Sequence, residues 1–286
     1  MEIYLSQIGG YLLNVLHSTF NQLFMLFGPL LVLVVLLNYS ATLVARLSIR
    51  FLGQKLYLYG FGWFGCSVHE LSHAFFALIF GHKIKEIALF KPNSGGESLG
   101  HVSHSYNKNN IYQKIGNFFI GIGPLLAGGI VLFVTTLALY RVNITDLFSF
   151  RISPQVFTER LLINEFFAVL WSGLLSYSAL LFTGKALFWW KSALLICILY
   201  STGSSMTLSK SDVKGAFSGF LWFVIFMLVV NLLTLWSGDF VSRYLALGVQ
   251  YISAFYFLLI LSFGANLFLI LLFFVLNLLK KVFVKG

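Results

Sequence analysis

The stretch Gly60–Gly81 reads GFGWFGCSVHELSHAFFALIFG and decides how this chain folds. It contains no Lys, Arg or Asp, and it is long enough to cross the hydrocarbon core of a bilayer. His69, Glu70 and His73 lie near its centre in an HExxH pattern. Two imidazoles and a carboxylate at bilayer depth cost several kcal/mol unless a partner compensates them. A divalent metal with its bound water would do so, which favours a metal site inside a membrane.

Helical geometry explains the spacing of this motif. At about 100° per residue, His69 and His73 lie one turn apart on nearly the same face, so both rings can reach one ion. Glu70 projects about 100° from His69, close enough to reach a metal-bound water without being a ligand. The alternative is a pair of core histidines that bind neighbouring helices by hydrogen bonds.

Composition assigns the chain to the class of membrane proteins. Hydrophobic residues make up 59% of the sequence and charged residues 10%, whereas a soluble domain carries about 25% charged residues. The net charge of +10 is scattered over short loops between apolar segments, which indicates juxtamembrane charge and excludes nucleic acid as the expected partner. The two cysteines, Cys66 and Cys197, lie in apolar segments and suggest neither a disulfide framework nor a cysteine zinc site.

The hydrophobic pattern predicts an all-α polytopic membrane protein with about six transmembrane helices. Residues 166–184 either form a seventh span or pack at the membrane surface. The whole chain, residues 1–286, is expected to form one integral membrane domain, with a catalytic core at about 60–235 and flanking spans at 23–44 and 248–279. The predicted spans are Leu23–Val44, Gly60–Gly81, Ile115–Tyr140, Phe188–Met206, Ala216–Trp236 and Gly248–Leu279.

Basic residues predict the orientation in the membrane. Lys280, Lys281 and Lys285 in the C-terminal tail place it in the cytoplasm. Counting back over six spans puts the N-terminus there too, in a bacterial cytoplasmic membrane. The loop with Arg46 and Arg50 then falls outside, against the positive-inside rule, and a seventh span would reverse every segment before it.

The segment after the HExxH helix has a strand pattern. Lys83–Phe90 and Gly100–Tyr106 alternate polar and apolar residues around the turn-rich run Pro92–Gly96, which predicts a short cytoplasmic β-hairpin. The hairpin either only connects helices or binds an extended peptide at its edge by strand addition. His101 and His104 also form an HxxH that could modulate access or bind metal. The expected substrate-binding residues are Gly100, His101, Val102, Ser103 and His104.

A catalytic zinc needs a third protein ligand besides two histidines. The chain has three aspartates, and Asp146 and Asp239 fall in loops on the side opposite the end of the HExxH helix in the six-span arrangement. Asp212 lies between two apolar segments, after a Ser-rich stretch expected to loosen the helix there. The alternative for Asp212 is a helix N-cap at the membrane surface, which the flanking Lys210 and Lys214 favour.

With these features in order, residues 60–235 resemble the site-2 protease family of intramembrane zinc metalloproteases. The HExxH, the following Phe80–Ile84, a β-like segment, the Gly-Pro span at Gly121–Gly128 and a late aspartate all match. The resemblance implies one Zn²⁺ per chain held by His69, His73 and Asp212, with Glu70 as the catalytic base. The chain differs from the family's Asn/Pro-rich Leu-Asp-Gly signature, since it reads SKSDVKG at 209–215.

The resemblance implies a zinc metalloendopeptidase that hydrolyses peptide bonds in or near transmembrane segments of membrane-protein substrates. The expected partners are a single-span substrate and the lipid bilayer. Three other interpretations stay open: a divalent metal-ion transporter, an inactive protease-like membrane scaffold, and a zinc-dependent protease of prenylated proteins.

Overall fold

The computed structural model describes residues 2–92, 99–141, 163–183 and 189–284, and these are mostly helical. A short π-helical segment, Leu58–Gly62, precedes the helix that carries the HExxH motif. The described helices are α1 (Glu2–Leu52), α2 (Gln54–Tyr57), α3 (Trp63–Ile79), α4 (Ile111–Tyr140), α5 (Ile163–Thr183), α6 (Trp189–Ser205), α7 (Lys210–Thr234) and α8 (Phe240–Val284), and the strands are β1 (Lys83–Ala88) and β2 (His101–Ser105).

Four helices are long and apolar enough to cross a membrane, and this confirms the predicted class. These segments are Ser6–Leu52, Ile111–Tyr140, Lys210–Thr234 and Tyr251–Val282. The first is much longer than the predicted span 23–44, because the residues on either side of that apolar window also continue the helix. Both α3 and α6 have 17 residues, about 26 Å at 1.5 Å per residue. The ambiguous segment 166–184 is helical in α5. The number of spans stays a prediction.

The chain divides into two compact units. The first contains Met1–Val32, Asn143–Ala186 and Leu221–Phe257, and the second contains Leu33–Val142, Leu187–Phe220 and Leu258–Gly286. The predicted single membrane domain is not tested by this division.

A buried polar network holds the helices of the first unit together. The Asn231 amide of α7 donates to Thr19 Oγ1 and to Gln22 Oε1 of α1, each at 2.8 Å. The Gln22 amide in turn donates to Ser242 Oγ of α8 at 3.0 Å. Such interhelical hydrogen bonds, with no water to compete, fix which helix faces meet.

In the second unit, α8 runs parallel to the C-terminal part of α1. The Asn266 amide donates to Ser40 Oγ at 3.1 Å. Further along both helices, the Asn277 amide donates to the Leu47 carbonyl at 3.1 Å. Lys280 then donates to the Phe51 carbonyl at 3.2 Å. The ends of α1 and α8 therefore lie on the same side, whereas the six-span count had placed them on opposite sides. The basic residues at these two ends therefore lie together, an arrangement that the positive-inside rule favours.

The predicted β-hairpin is confirmed as a two-stranded antiparallel sheet. Lys83 pairs with Ser105 at one end and Ala88 with His101 at the other, with a bulge between Ile84 and Glu86. Residues 93–98, which include most of the predicted turn Pro92–Gly96, lie outside the described residues. The cytoplasmic placement of the sheet stays a prediction.

Glycines of α4 and α7 bring the helices of the site into close contact. A Cβ on Gly121 of α4 would lie 2.5 Å from the Asp212 carbonyl oxygen of α7. Gly219 of α7 faces the backbone of Phe118 so closely that a Cβ there would collide with it. On another face of α4, a Cβ on Gly123 would lie 3.2 Å from Ser72 Oγ of α3. Because side chains are missing at these points, α4 can touch both α3 and α7.

We expect Gly219→Ala to destabilise the protein by about 1–3 kcal/mol, because the new methyl group must push α7 away from α4. Gly264→Ala in α8 is the matched control, since nothing lies within 4 Å of its Cβ position and alanine is the better helix former. Thermal unfolding in detergent measures both variants. Equal melting temperatures for the two would contradict the α4–α7 backbone contact.

Candidate metal centre

The structure brings together the three residues that the sequence predicts as metal ligands. His69 Nε2 and His73 Nε2 of α3 lie 3.1 Å apart. The Asp212 carboxylate of α7 lies 3.3 Å from His73 Nε2 through Oδ1 and 3.5 Å from His69 Nε2 through Oδ2. Within the described parts of the chain, this is the group of His, Cys, Asp and Glu residues that could hold a metal ion.

The spacing of these atoms fits a tetrahedral zinc ion. Zinc–nitrogen and zinc–oxygen bonds of about 2.0–2.1 Å put neighbouring ligand atoms roughly 3.3 Å apart at the tetrahedral angle. The separation of 3.1 Å between the two Nε2 atoms and that of 3.3 Å between His73 Nε2 and Asp212 Oδ1 lie close to that value, while the other carboxylate oxygen, Oδ2, lies 3.5 Å from His69 Nε2. Two imidazoles and one carboxylate leave a fourth position for water or substrate, as in catalytic zinc sites. The donor set therefore fits the predicted Zn²⁺.

A hydrogen bond to α4 orients His73. Its Nδ1 donates to the Ile120 carbonyl at 2.8 Å, so Nε2 keeps the lone pair that a metal needs. In a regular helix the Ile120 carbonyl would accept from the backbone N–H four residues later, but that residue is Pro124, which has none. The Gly-Pro sequence of this helix thus frees an acceptor for the second ligand.

Asp212 is held by a capping box at the start of α7. Ser209 Oγ accepts from the Asp212 backbone N–H at 3.1 Å, and Asp212 Oδ2 accepts from the Ser209 backbone N–H at 2.7 Å. This reciprocal pair fits the Ser-x-x-acid pattern of helix starts. The N-cap is thus Ser209 and not Asp212, but the Asp212 carboxylate completes the capping box and also faces both histidines.

The predicted base, Glu70, is buried beside the ligands and lines the same cavity. Gly100, which precedes β2, lies directly against it, because a Cβ on Gly100 would be 2.7 Å from Glu70 Cγ. The predicted substrate contact at Gly100 thus also limits where the Glu70 side chain can go. Only a residue without a side chain lets β2 come this close to α3.

A cavity of about 410 Å³ is lined by the predicted metal ligands, by Glu70 and by the first part of β2. Gly100, His101 and Val102 line it, while Ser103 and His104 are not among the described residues that do so. His101 Nε2 lies 3.2 Å from Glu86 Oε1 of β1. The pKa of the Glu86 carboxyl is lowered by His101 and by Lys91. The residues that line the cavity therefore come from the sheet on one side and from α3 and the start of α7 on the other.

His104 belongs to a separate structural contact at the other end of the sheet. Its Nδ1 lies 3.0 Å from His82 Nδ1, and His82 Nε2 donates to the Gln113 carbonyl at 2.8 Å. His82 Nδ1 is then the acceptor and His104 Nδ1 the donor. Desolvation lowers the pKa of both histidines, so both stay neutral near pH 7. A metal or substrate role for His104 has no support in this contact.

The sequence offers two other aspartates, Asp146 and Asp239. Asp146 lies outside the described residues, and Asp239 caps α8 by accepting from the Ser242 backbone N–H at 3.0 Å. Sequence reasoning missed the roles of Ile120 and Ser209. A proline four residues after Ile120, and Ser-x-x-Asp at the start of α7, are the signals that could have identified them.

Comparisons with known proteins give no match: no family model matches the chain, and no curated protein or solved structure is significantly similar to it. We therefore infer the function from the residues of the site.

We expect Pro124→Ala to weaken metal binding by about tenfold or more, the usual effect of losing a partner that orients a ligand. The new N–H competes with His73 for the Ile120 carbonyl. Pro29→Ala in α1 is the matched control, since that proline is also inside a helix. Zinc titration against a competing chelator gives the affinity.

Alanine is favoured over proline in a helix by roughly 3 kcal/mol, so unfolding would not explain weaker binding by the Pro124→Ala variant. Unchanged zinc affinity in this variant would contradict the proposed role of the Ile120 carbonyl.

Proposed function

We propose that this chain is an intramembrane zinc metalloendopeptidase, which hydrolyses peptide bonds in or near the transmembrane segments of single-span membrane proteins. One observation carries the proposal. Two histidines and an aspartate with zinc-like spacing lie beside a buried glutamate, in a cavity of a chain with membrane-length apolar helices. Buried ionisable residues in such a chain are retained for a function, because they are costly there.

His69, His73 and Asp212 would hold the metal, one ion per chain. Zinc bound there supplies a Lewis acid for the peptide carbonyl and lowers the pKa of water toward neutrality. The chain's own contribution is to present two imidazole nitrogens and a carboxylate in fixed positions. The Ile120 carbonyl and the capping box at Ser209 do this from two different helices.

Glu70 is the proposed general base. From its position in the cavity wall it would accept a proton from the attacking water and later donate it to the leaving amine. Gly100 packs against the Glu70 side chain and restricts its motion. Glu70 is buried and lines the cavity, so its carboxylate can contact water that enters there.

The sheet offers a way to hold the substrate. A helical substrate hides its carbonyls in hydrogen bonds, so it must unwind locally before cleavage. In the described part of the chain β2 pairs with β1 alone, and its first residues line the cavity. An unwound substrate strand could therefore add to the other edge of β2 and present its carbonyl to the site.

We place the protein in a bacterial cytoplasmic membrane, with the C-terminus in the cytoplasm. The basic ends of α1 and α8, which lie on one side of the second unit, fit the cytoplasmic side.

A cleavage assay tests the proposal. The purified protein, loaded with zinc in liposomes, is incubated with single-span peptides that carry a helix-breaking Asn-Pro pair in the membrane segment, and products are identified by mass spectrometry. We expect cleavage by the wild type and a loss of at least about 100-fold in Glu70→Gln, because the amide cannot take up the proton. Zinc content should stay near one per chain in that variant.

Two aspartate variants complete the design. Asp212→Ala should lose both zinc and cleavage, while Asp239→Ala, whose carboxylate caps α8, should keep both. Full cleavage by Glu70→Gln would contradict the assigned base. Bound zinc without cleavage of any peptide would instead favour a scaffold or a metal-ion carrier.

A further inference from the structure

A second cavity in the same unit lies apart from the metal centre. It has a volume of about 430 Å³ and runs along α1 from Val34 to Arg46, with Leu208 and Val213 on the other side. We call it the α1–α7 groove. At 1.5 Å per residue its α1 wall measures roughly 18 Å, slightly more than half of the ~30 Å hydrocarbon core of a bilayer. The groove is therefore about as long as one leaflet is thick.

The chemistry of this wall changes in a fixed order along α1. Arg46 lies at one end, Thr42 and Asn38 follow at four-residue intervals on the same face, and Val35 and Val34 form the other end. Asn38 and Thr42 are exposed; the Thr42 hydroxyl donates to the Asn38 backbone carbonyl at 2.7 Å, while the Asn38 side-chain amide makes no hydrogen bond within the described residues. Exposed polar groups inside a membrane-length helix are costly unless a partner binds them.

The charge at the Arg46 end is uncompensated. None of the ion pairs in the described part of the chain includes Arg46, and residues 33–52 contain no acidic residue. Arg50 follows one turn later on the same face, and both arginines are exposed. Lys280 contacts Phe51 at this end of the unit. A cluster of cations at the end of apolar helices is typical of the membrane–water interface and attracts anionic headgroups.

We propose that the α1–α7 groove is a binding site for one anionic phospholipid. The phosphate pairs with Arg46, an ester carbonyl accepts a hydrogen bond from the Asn38 side-chain amide, and the first part of an acyl chain lies on Val35 and Val34. Along the groove, a cation is followed by polar groups and then by an apolar surface. Along such a lipid, the phosphate is followed in the same order by the ester groups and the hydrocarbon chain. This inference does not depend on the proposed protease activity.

The groove also shares a wall with the metal centre. Val213 lines the groove, while the preceding Asp212 faces His69 and His73 on the inner side of the same helical turn. A lipid bound in the groove thus packs against the turn that positions the third ligand. The lipid composition of the membrane could therefore influence the centre through this turn.

Native mass spectrometry of the delipidated full-length protein tests the site. The protein is titrated with phosphatidylglycerol or with phosphatidylcholine of the same chains. We expect the first phosphatidylglycerol to bind at least tenfold more tightly than phosphatidylcholine, and Arg46→Gln to remove at least fivefold of that preference. Arg243→Gln, an exposed arginine stacked on Phe240 in the other unit, is the matched control and should not change it.

Filling the groove gives an independent readout. Val35→Trp should abolish the first binding event for both lipids, whereas Val32→Trp, at an exposed position outside the groove, should leave it intact. Equal binding of the two lipids by the wild type, or unchanged preference in Arg46→Gln, would overturn the proposal. Binding of a single-span peptide in the groove, unchanged by the addition of either lipid, would also overturn it. That result would assign the groove to a protein helix.

Discussion

The hydrogen bond from His73 Nδ1 to the Ile120 carbonyl links the metal centre to the packing of the helices. A buried imidazole can present Nε2 to a metal only if its other nitrogen has an acceptor. Helices rarely offer one, because their carbonyls are already bonded within the helix. Pro124 removes the competing N–H, and Gly123 lets α3 approach closely enough for the bond to form. One backbone defect in α4 thus determines both the tautomer and the position of the second ligand.

The third ligand depends on an equally local device. Ser209 and Asp212 satisfy each other's backbone N–H groups at the start of α7, so the carboxylate is fixed before any metal binds. Gly121 allows this turn to lie against α4, which also carries the acceptor for His73. The histidine side and the aspartate side of the centre are therefore both positioned by contacts with α4. Preorganisation of this kind reduces the cost of assembling the site when a metal enters.

The sequence predicted the membrane class, the β-hairpin and the pairing of His69 with His73, because periodicity and helical spacing are local properties. Asp212 was predicted differently, by comparison with the other two aspartates and by the family resemblance. The sequence did not predict the length of α1, since a helix continues beyond its most apolar window when no residue stops it. It also misplaced the end of α1 relative to the C-terminal end of α8, because span counting contains no information on which helices touch. The contact of Lys280 with Phe51 can be recognised only from the three-dimensional packing of the helices. The role of Gly100 against Glu70 is likewise a long-range contact that no local pattern encodes.

The central claim is that a metal ion is bound by two imidazoles and a carboxylate at this site. X-ray absorption at the zinc edge of the metal-loaded protein measures this directly. The account predicts only nitrogen and oxygen neighbours at about 2.0–2.1 Å, with the multiple scattering of two imidazole rings. Cys66 lines the same cavity, so a sulfur neighbour at about 2.3 Å would contradict the assigned ligands. A spectrum without imidazole scattering would contradict the claim as a whole.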